Sequence, residues 1–160
     1  QGCSDLSVPA YWRVMSIQSQ RGDAWMTEKN EEAIRELELE YEKALQFAEA
    51  GFRADDLLYQ CAHFYRLTDR PERALELLAT NQARFPQSNW KEGCAYYLGS
   101  LYAAAGEREN ASAQWDLLKS MELDSRMFDF DGQRYISVSE AVRLLENQLS
   151  LENKAGEDQR

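Results

Sequence analysis

Cysteine and histidine side chains carry much of the nucleophilic and metal-binding chemistry of proteins, and this chain has few of them. They are Cys3, Cys61, Cys94 and His63. The cysteines form no CxxC pair and have no zinc-ligand spacing. No serine or cysteine near His63 has the spacing of an activated nucleophile and its base. The sequence therefore predicts a non-enzymatic protein with no catalytic residue, no metal and no cofactor.

The segment DFDGQRYISVSE, residues 129–140, has the oxygen-rich character of a calcium-binding loop. The residues at loop positions one, three, eight and twelve are Asp129, Asp131, Ile136 and Glu140. Position six requires glycine, but here it is Arg134, which cannot easily adopt the turn and would place a cation beside the ion. A turn at Asp131-Gly132 and an S-x-x-E capping box at Ser137 explain the same residues. We therefore expect a turn and a helix start here, and no calcium.

The composition is that of an acidic globular domain. Lys and Arg number 18 against 28 Asp and Glu, so the net charge is -10, and 44% of the residues are hydrophobic. Such a charge repels nucleic-acid phosphates and anionic lipid surfaces. No apolar run approaches the ~20 residues of a spanning helix, so any membrane attachment would need an added anchor.

Most of the chain has helical character. Apolar residues recur at helical spacing within residues 28–50, and Gly51 provides a stop. Upstream, Pro9 suits the first turn of a helix at about 10–20, which Gly22 is expected to end. The capping box opens a last helix at about 138–152. No run of alternating apolar and polar residues lies between turn signals, so strands are not expected.

The centre of the chain contains an internal repeat, in which residues 55–88 align with residues 92–125. Each copy has the pattern of a helix, a short turn and a second helix. The matched pairs are Leu58 with Ala95, Cys61 with Leu98, Ala62 with Gly99, Tyr65 with Tyr102, Ala74 with Ala111, and Leu78 with Trp115. The small residues would let paired helices approach closely, while the large ones fill the remaining space.

This pattern resembles the tetratricopeptide repeat (TPR): a Leu, then Gly or Ala, a Tyr, an Ala in the second helix and a closing proline, here Pro86. The resemblance covers about residues 55–125. Residues 89–91 form a three-residue offset between the two copies, and the second copy lacks the closing proline.

The resemblance implies an all-α fold, a TPR-like solenoid of helical hairpins with a C-terminal capping helix. Since two repeats rarely suffice for stability, the helices at about 10–20 and 28–50 would form a degenerate upstream hairpin. The expected organisation is an N-terminal tether at 1–8, one helical domain at 9–153 and a frayed tail at 154–160. A plain helical bundle with accidental periodicity is the alternative.

The resemblance also implies a concave groove that binds a peptide or helix of a partner protein. The residues expected on this face are Tyr59, His63 and Arg66 in the first copy and Tyr96, Ser100 and Ala103 in the second. A solvated helix face is the alternative for the first set, and tight packing against a neighbouring helix for the second. Tyr59 and His63 replace the Lys and Asn of the family's carboxylate clamp, which argues against a cytosolic cochaperone.

At the N-terminus, Gln1-Gly2-Cys3 resembles the end of a bacterial lipobox, in which a cysteine directly follows a small residue. The rest of that motif and the signal peptide would lie outside this chain. Ser4 stands where an Asp would favour inner-membrane retention, so the resemblance implies a lipid anchor at Cys3 and sorting to the outer membrane. A chance exposed cysteine is the alternative.

Together these features indicate a protein-binding adaptor or scaffold, anchored by lipid at the periplasmic face of a bacterial outer membrane. It would assist an envelope assembly such as a secretion channel, pilus or cell-wall complex. The alternative is a soluble, cytoplasmic binding module, such as a secretion chaperone or toxin-immunity protein. Cys61 and Cys94 are expected to remain buried thiols, because their repeat positions lie about one helical turn apart.

Overall fold

The computed structural model describes residues 5–26, 30–48, 51–132 and 134–157. The fold is all-α with a C-terminal helix, which confirms the predicted class. In chain order the elements are α1 Ser7–Met26, α2 Glu31–Leu45, α3 Ala54–Leu67, α4 Pro71–Arg84, α5 Lys91–Ala104, α6 Arg108–Lys119, β1 Arg126–Asp129, β2 Arg134–Ser137 and α7 Val138–Glu157. The chain divides into two compact units, Gln1–Asn81 and Gln82–Arg160, and each is described by itself.

The first two helices of unit 1 pack side by side. Helix α2 begins at Asn30, whose side chain accepts hydrogen bonds from the backbone N–H groups of Glu32 and Ala33. Leu37 and Tyr41, four residues apart on α2, are fully buried. The prediction that Gly22 ends α1 is wrong, because the helix continues to Met26. A glycine inside a helix costs only about 1 kcal/mol relative to alanine, and packing against α2 can offset that.

Helices α3 and α4 form the hairpin that the first repeat copy predicts. The turn between them contains Asp69 at φ 61°, in the left-handed region. Near the far end of α4, the Asn81 side chain donates a hydrogen bond of 2.7 Å to the Asp55 carbonyl near the start of α3. The two helices are therefore antiparallel. Ion pairs to α2 are made by Arg70, directly before α4, with Glu38 and by Arg73, in α4, with Glu42.

Unit 2 contains the second predicted hairpin, α5 and α6, with α7 packed against both helices. Its core includes Ala95, Leu118, Val138 and Leu145, all fully buried. Gly99 lies in close contact with side chains of both neighbouring helices. A Cβ atom there would be 2.5 Å from Leu145 Cδ2 and 3.3 Å from Gln114 Cβ. The small residue predicted at this position thus permits the observed packing.

Strands β1 and β2 form an antiparallel hairpin, so the expectation of no strands is wrong. Met127 pairs with Ile136 on the buried face, and Phe128 pairs with Tyr135 on the opposite face. Each strand has four residues, which is too short for a clear alternation in the sequence. The expected turn at Asp131-Gly132 does connect them.

Burial at the repeat positions agrees with the alignment in both units. The fully or nearly fully buried members are Leu58, Cys61, Ala62, Tyr65, Ala74 and Leu78 in the first copy and Ala95, Leu98, Gly99 and Ala111 in the second. Tyr102 and Trp115 are half-buried. The stacking of these hairpins into a solenoid stays a prediction.

Candidate interaction surfaces

The three α3 residues predicted to face a groove are close together, but two of them are buried. Tyr59 and His63 are 1% and 3% exposed, and their rings meet edge to face at 4.6 Å. Arg66 is half-buried, with Nη2 3.5 Å from His63 Nδ1. Burial, and secondarily the Arg66 charge, lowers the pKa of His63 well below its usual range. The expectation that these rings are open to a peptide is corrected, although the predicted partner role itself is untested.

On α5, the second predicted set is engaged by α7. Ser100 Oγ donates to Gln148 Oε1 at 3.0 Å, and Gln148 Nε2 donates to the Ser100 carbonyl at 3.1 Å. Tyr96 is half-buried against the core of unit 2, and Ala103 is buried. The shallow trough expected here is therefore not open, because a helix of the same unit packs on this face. This is the helix-packing alternative that the sequence left open.

The residues of segment 129–140, which resembles a calcium-binding loop, form hydrogen bonds and an ion pair within the β-hairpin and at the start of α7. Asp129 is buried and accepts hydrogen bonds from the Asp131 N–H at 3.1 Å and the Tyr97 hydroxyl at 3.4 Å. Arg134 Nη2 lies 2.5 Å from Glu140 Oε1, so the arginine at position six pairs with the carboxylate at position twelve. Within the described residues, no cluster of three or more His, Cys, Asp or Glu side chains could hold a metal ion.

Cys61 and Cys94 are buried thiols and form no disulfide, as predicted. Burial raises the pKa of the Cys61 thiol well above its usual value, which makes it a poor nucleophile. Cys3, the predicted lipid anchor, lies outside the described residues.

Two adjoining depressions lie along α1 and α2, and the sequence did not indicate them. One, of about 250 Å³, is lined by Ile17, Gln20, Glu36, Leu39, Glu40 and Lys43. The other, of about 140 Å³, is lined by Ala10, Arg13, Val14, Glu40, Lys43, Ala44 and Phe47. Leu39 is 61% exposed, although it stands in the middle of a helix. We call this surface the α1–α2 groove.

Charged side chains lie at the middle of the α1–α2 groove. Glu40 accepts hydrogen bonds from Arg13 Nε and, at 2.9 Å, from Lys43 Nζ. These two cations, Arg13 first, lower the pKa of Glu40 to about 2. The groove therefore combines apolar walls with a fixed polar centre, as sites for helices and peptides do.

A second surface that the sequence did not indicate is aromatic. Trp12 on α1 and Phe52 before α3 are 57% and 78% exposed. The Arg53 guanidinium lies 5.0 Å from the Tyr11 ring centre, 5.8 Å from that of Trp12 and 5.3 Å from that of Phe52. We call Tyr11, Trp12, Phe52 and Arg53 the aromatic patch. Trp12 stands two residues before Val14, which is buried, and so lies on the opposite side of α1. This spacing is the feature of the sequence that could have predicted the exposure of Trp12.

Hydrogen bonds attach the aromatic patch to the beginning of α1. Asp5 Oδ2 accepts a 2.7 Å hydrogen bond from the Phe52 N–H, and Ser7 Oγ accepts one of 3.1 Å from the Arg53 N–H. We call these two bonds the Asp5 clasp. The predicted N-terminal tether at 1–8 is corrected at its end, since α1 already begins at Ser7. The Phe52 N–H bond, followed by that of the Ser7 hydroxyl, lowers the pKa of Asp5.

In the part of the chain that the structure describes, every helix is too short or too polar to span a bilayer. Comparison with known proteins gives no relative: no family model, no curated protein and no solved structure matches this chain.

Proposed function

We propose that the protein is a non-enzymatic adaptor that binds a protein partner through the α1–α2 groove. The observation that carries this proposal is the 61% exposure of Leu39 in the larger depression, beside the mainly apolar smaller one, with Glu40 held by two cations where the two depressions adjoin. Apolar walls supply the binding free energy, and the fixed charges would orient a helix of the partner. The α1–α2 groove replaces the concave TPR face as the favoured binding site, because Tyr59 and His63 on that face are buried.

The proposed location is the periplasmic face of a bacterial outer membrane, with Cys3 acylated. The lipobox resemblance supports the anchor, and the partner would then belong to an envelope assembly such as a secretion channel, pilus or cell-wall complex. A non-enzymatic role is supported by the burial of His63, whose imidazole has almost no surface that a substrate could reach.

The groove is tested by partner capture from detergent-solubilised envelopes. We expect a specific protein to be retained by the unmodified chain and lost with Leu39→Asp, because a carboxylate would have to be desolvated against an apolar partner. Leu117→Asp, at a 37% exposed leucine of unit 2, is the matched control and should retain the partner. If Leu39→Asp retains as much partner as Leu117→Asp, the partner binds outside the α1–α2 groove.

The anchor is tested separately, in the natural host and from the chain's own gene. We expect the protein to fractionate with outer membranes and the Cys3→Ala variant to be found in the soluble fraction. If the unmodified protein and the Cys3→Ala variant are both found in the soluble fraction, the anchor is contradicted and the groove proposal is unaffected.

A further inference from the structure

The aromatic patch has the composition of a bilayer-interface contact. Trp and Tyr are enriched where proteins meet lipid headgroups, because their rings are apolar while N–H and O–H groups stay hydrated. Leu6, the residue directly before α1, is 48% exposed, and Phe52 is 78% exposed. The Arg53 cation lies over three rings and pairs with Asp56 at 2.9 Å. The Asp56 carboxylate thus balances the Arg53 charge next to the exposed aromatic rings.

The Asp5 clasp holds Phe52 in place. Gly51 has φ +125°, a conformation that suits glycine, and a side chain here would collide with Ser7 Oγ at 2.5 Å. The clasp fixes the backbone N–H groups of both Phe52 and Arg53 to the start of α1. The exposed Phe52 ring is therefore presented by a turn that is ordered before any contact forms, which limits the entropy lost on binding.

Cys3 is two residues from Asp5 in the sequence. Only Ser4 separates Cys3 from Asp5, and two residues of chain span at most about 7 Å. An anchor at Cys3 would therefore begin no more than about 7 Å of backbone from Asp5, whose carboxylate accepts the hydrogen bond of the Phe52 N–H. A short connection of this kind restricts which face of unit 1 can meet the membrane.

We propose that the aromatic patch, together with Leu6, lies in the headgroup region of the bilayer to which Cys3 is anchored. This inference rests on the proposed acylation of Cys3, and it adds the orientation of unit 1 on the membrane. The lipid surface that fits is one without net charge, because the chain carries -10 and anionic headgroups would repel it.

The test attaches the protein to vesicles chemically, so that its result does not depend on natural acylation. Cys61 and Cys94 are 0% exposed, so a maleimide lipid should couple selectively at Cys3 in the folded protein. The vesicles contain phosphatidylcholine brominated at shallow acyl positions, which quenches nearby tryptophan fluorescence. Trp12→Phe is compared with Trp115→Phe, a half-buried tryptophan of unit 2.

We expect brominated lipid to quench the unmodified protein and Trp115→Phe alike, and to quench Trp12→Phe at least twofold less. Phe52→Ser should reduce the quenching of Trp12, while vesicles containing anionic lipid should not increase it. Equal quenching of all three tryptophan forms, or none, would overturn the bilayer contact and indicate that the patch faces a protein instead. Failure of the Cys3→Ala fractionation alone would overturn the orientation at the natural membrane, while the vesicle result would still show whether the aromatic patch contacts lipid.

Discussion

At the scale of single residues, Gly99 controls how closely α7 packs on α5. We expect Gly99→Ala to destabilise unit 2 by up to about 2 kcal/mol, because overpacking costs about 1–3 kcal/mol and the gain in helix propensity offsets about 1. The added methyl group would meet Leu145 Cδ2. Urea unfolding followed by circular dichroism measures the change.

The Leu145→Ala background separates these two effects. Without the leucine side chain, Gly99→Ala should become neutral or stabilising by about 1 kcal/mol, since the helix-propensity gain remains and the collision is gone. A cost that is the same in both backgrounds would mean that Gly99 does not limit this contact.

Glu40 gives a prediction about acid stability. Its pKa is about 2 in the folded protein, against an ordinary value of 4.5, mainly through the hydrogen bond from Arg13. A lowered folded-state pKa stabilises the protein above the unfolded-state value, and this stability is lost as the pH falls from about 4.5 towards 2. We expect the urea midpoint to fall between pH 7 and pH 3, and to fall less in Glu40→Gln.

The matched control for Glu40→Gln is Glu109→Gln, at an exposed glutamate of α6. It should leave the pH dependence of the urea midpoint close to that of the unmodified protein. If Glu40→Gln shows the same pH dependence as that control, the Arg13–Glu40–Lys43 group does not stabilise unit 1.

At the scale of elements, the start of α7 depends on Ser137. Its Oγ accepts a 3.2 Å hydrogen bond from the Glu140 N–H, which is one half of the predicted capping box. We expect Ser137→Ala to lower the free energy of unfolding by about 1 kcal/mol, and Ser137→Thr to retain most of it. Thermal unfolding measures both. Ser150→Ala, on the exposed surface of α7, should change stability by less than about 0.5 kcal/mol.

The helices could be predicted more reliably than the surfaces they present. The hairpins containing Ala74 and Ala111 follow from helical spacing and small residues, and both alanines are buried. The β-hairpin was not predicted, because Asp129 occupies an inward-facing position that an apolar residue usually fills. In the structure, the Tyr97 hydroxyl donates a hydrogen bond to this buried carboxylate. The aromatic patch depends on Asp5 meeting Phe52, and local sequence patterns do not show contacts between residues so far apart.

At the scale of the whole molecule, the two buried cysteines report on opening of each unit. In a Cys3→Ala variant, we expect no thiol to react with a maleimide in native buffer and two to react after denaturation. The reason is that Cys61 and Cys94 are both 0% exposed. Mass spectrometry counts the modified thiols. Rapid modification of either cysteine without denaturant would show that its unit opens readily, or that its burial is wrong.

The Asp5 clasp also has a consequence for the order of folding. Its bond to Phe52 joins residues 47 positions apart, and closing such a loop costs roughly 3 kcal/mol of chain entropy. One exposed hydrogen bond, worth about 1 kcal/mol, cannot meet that cost alone. The clasp should therefore form only after α1, α2 and α3 have packed together. Interactions made after the transition state mainly slow unfolding, so we expect the clasp to retard detachment of α1 while leaving the refolding rate nearly unchanged.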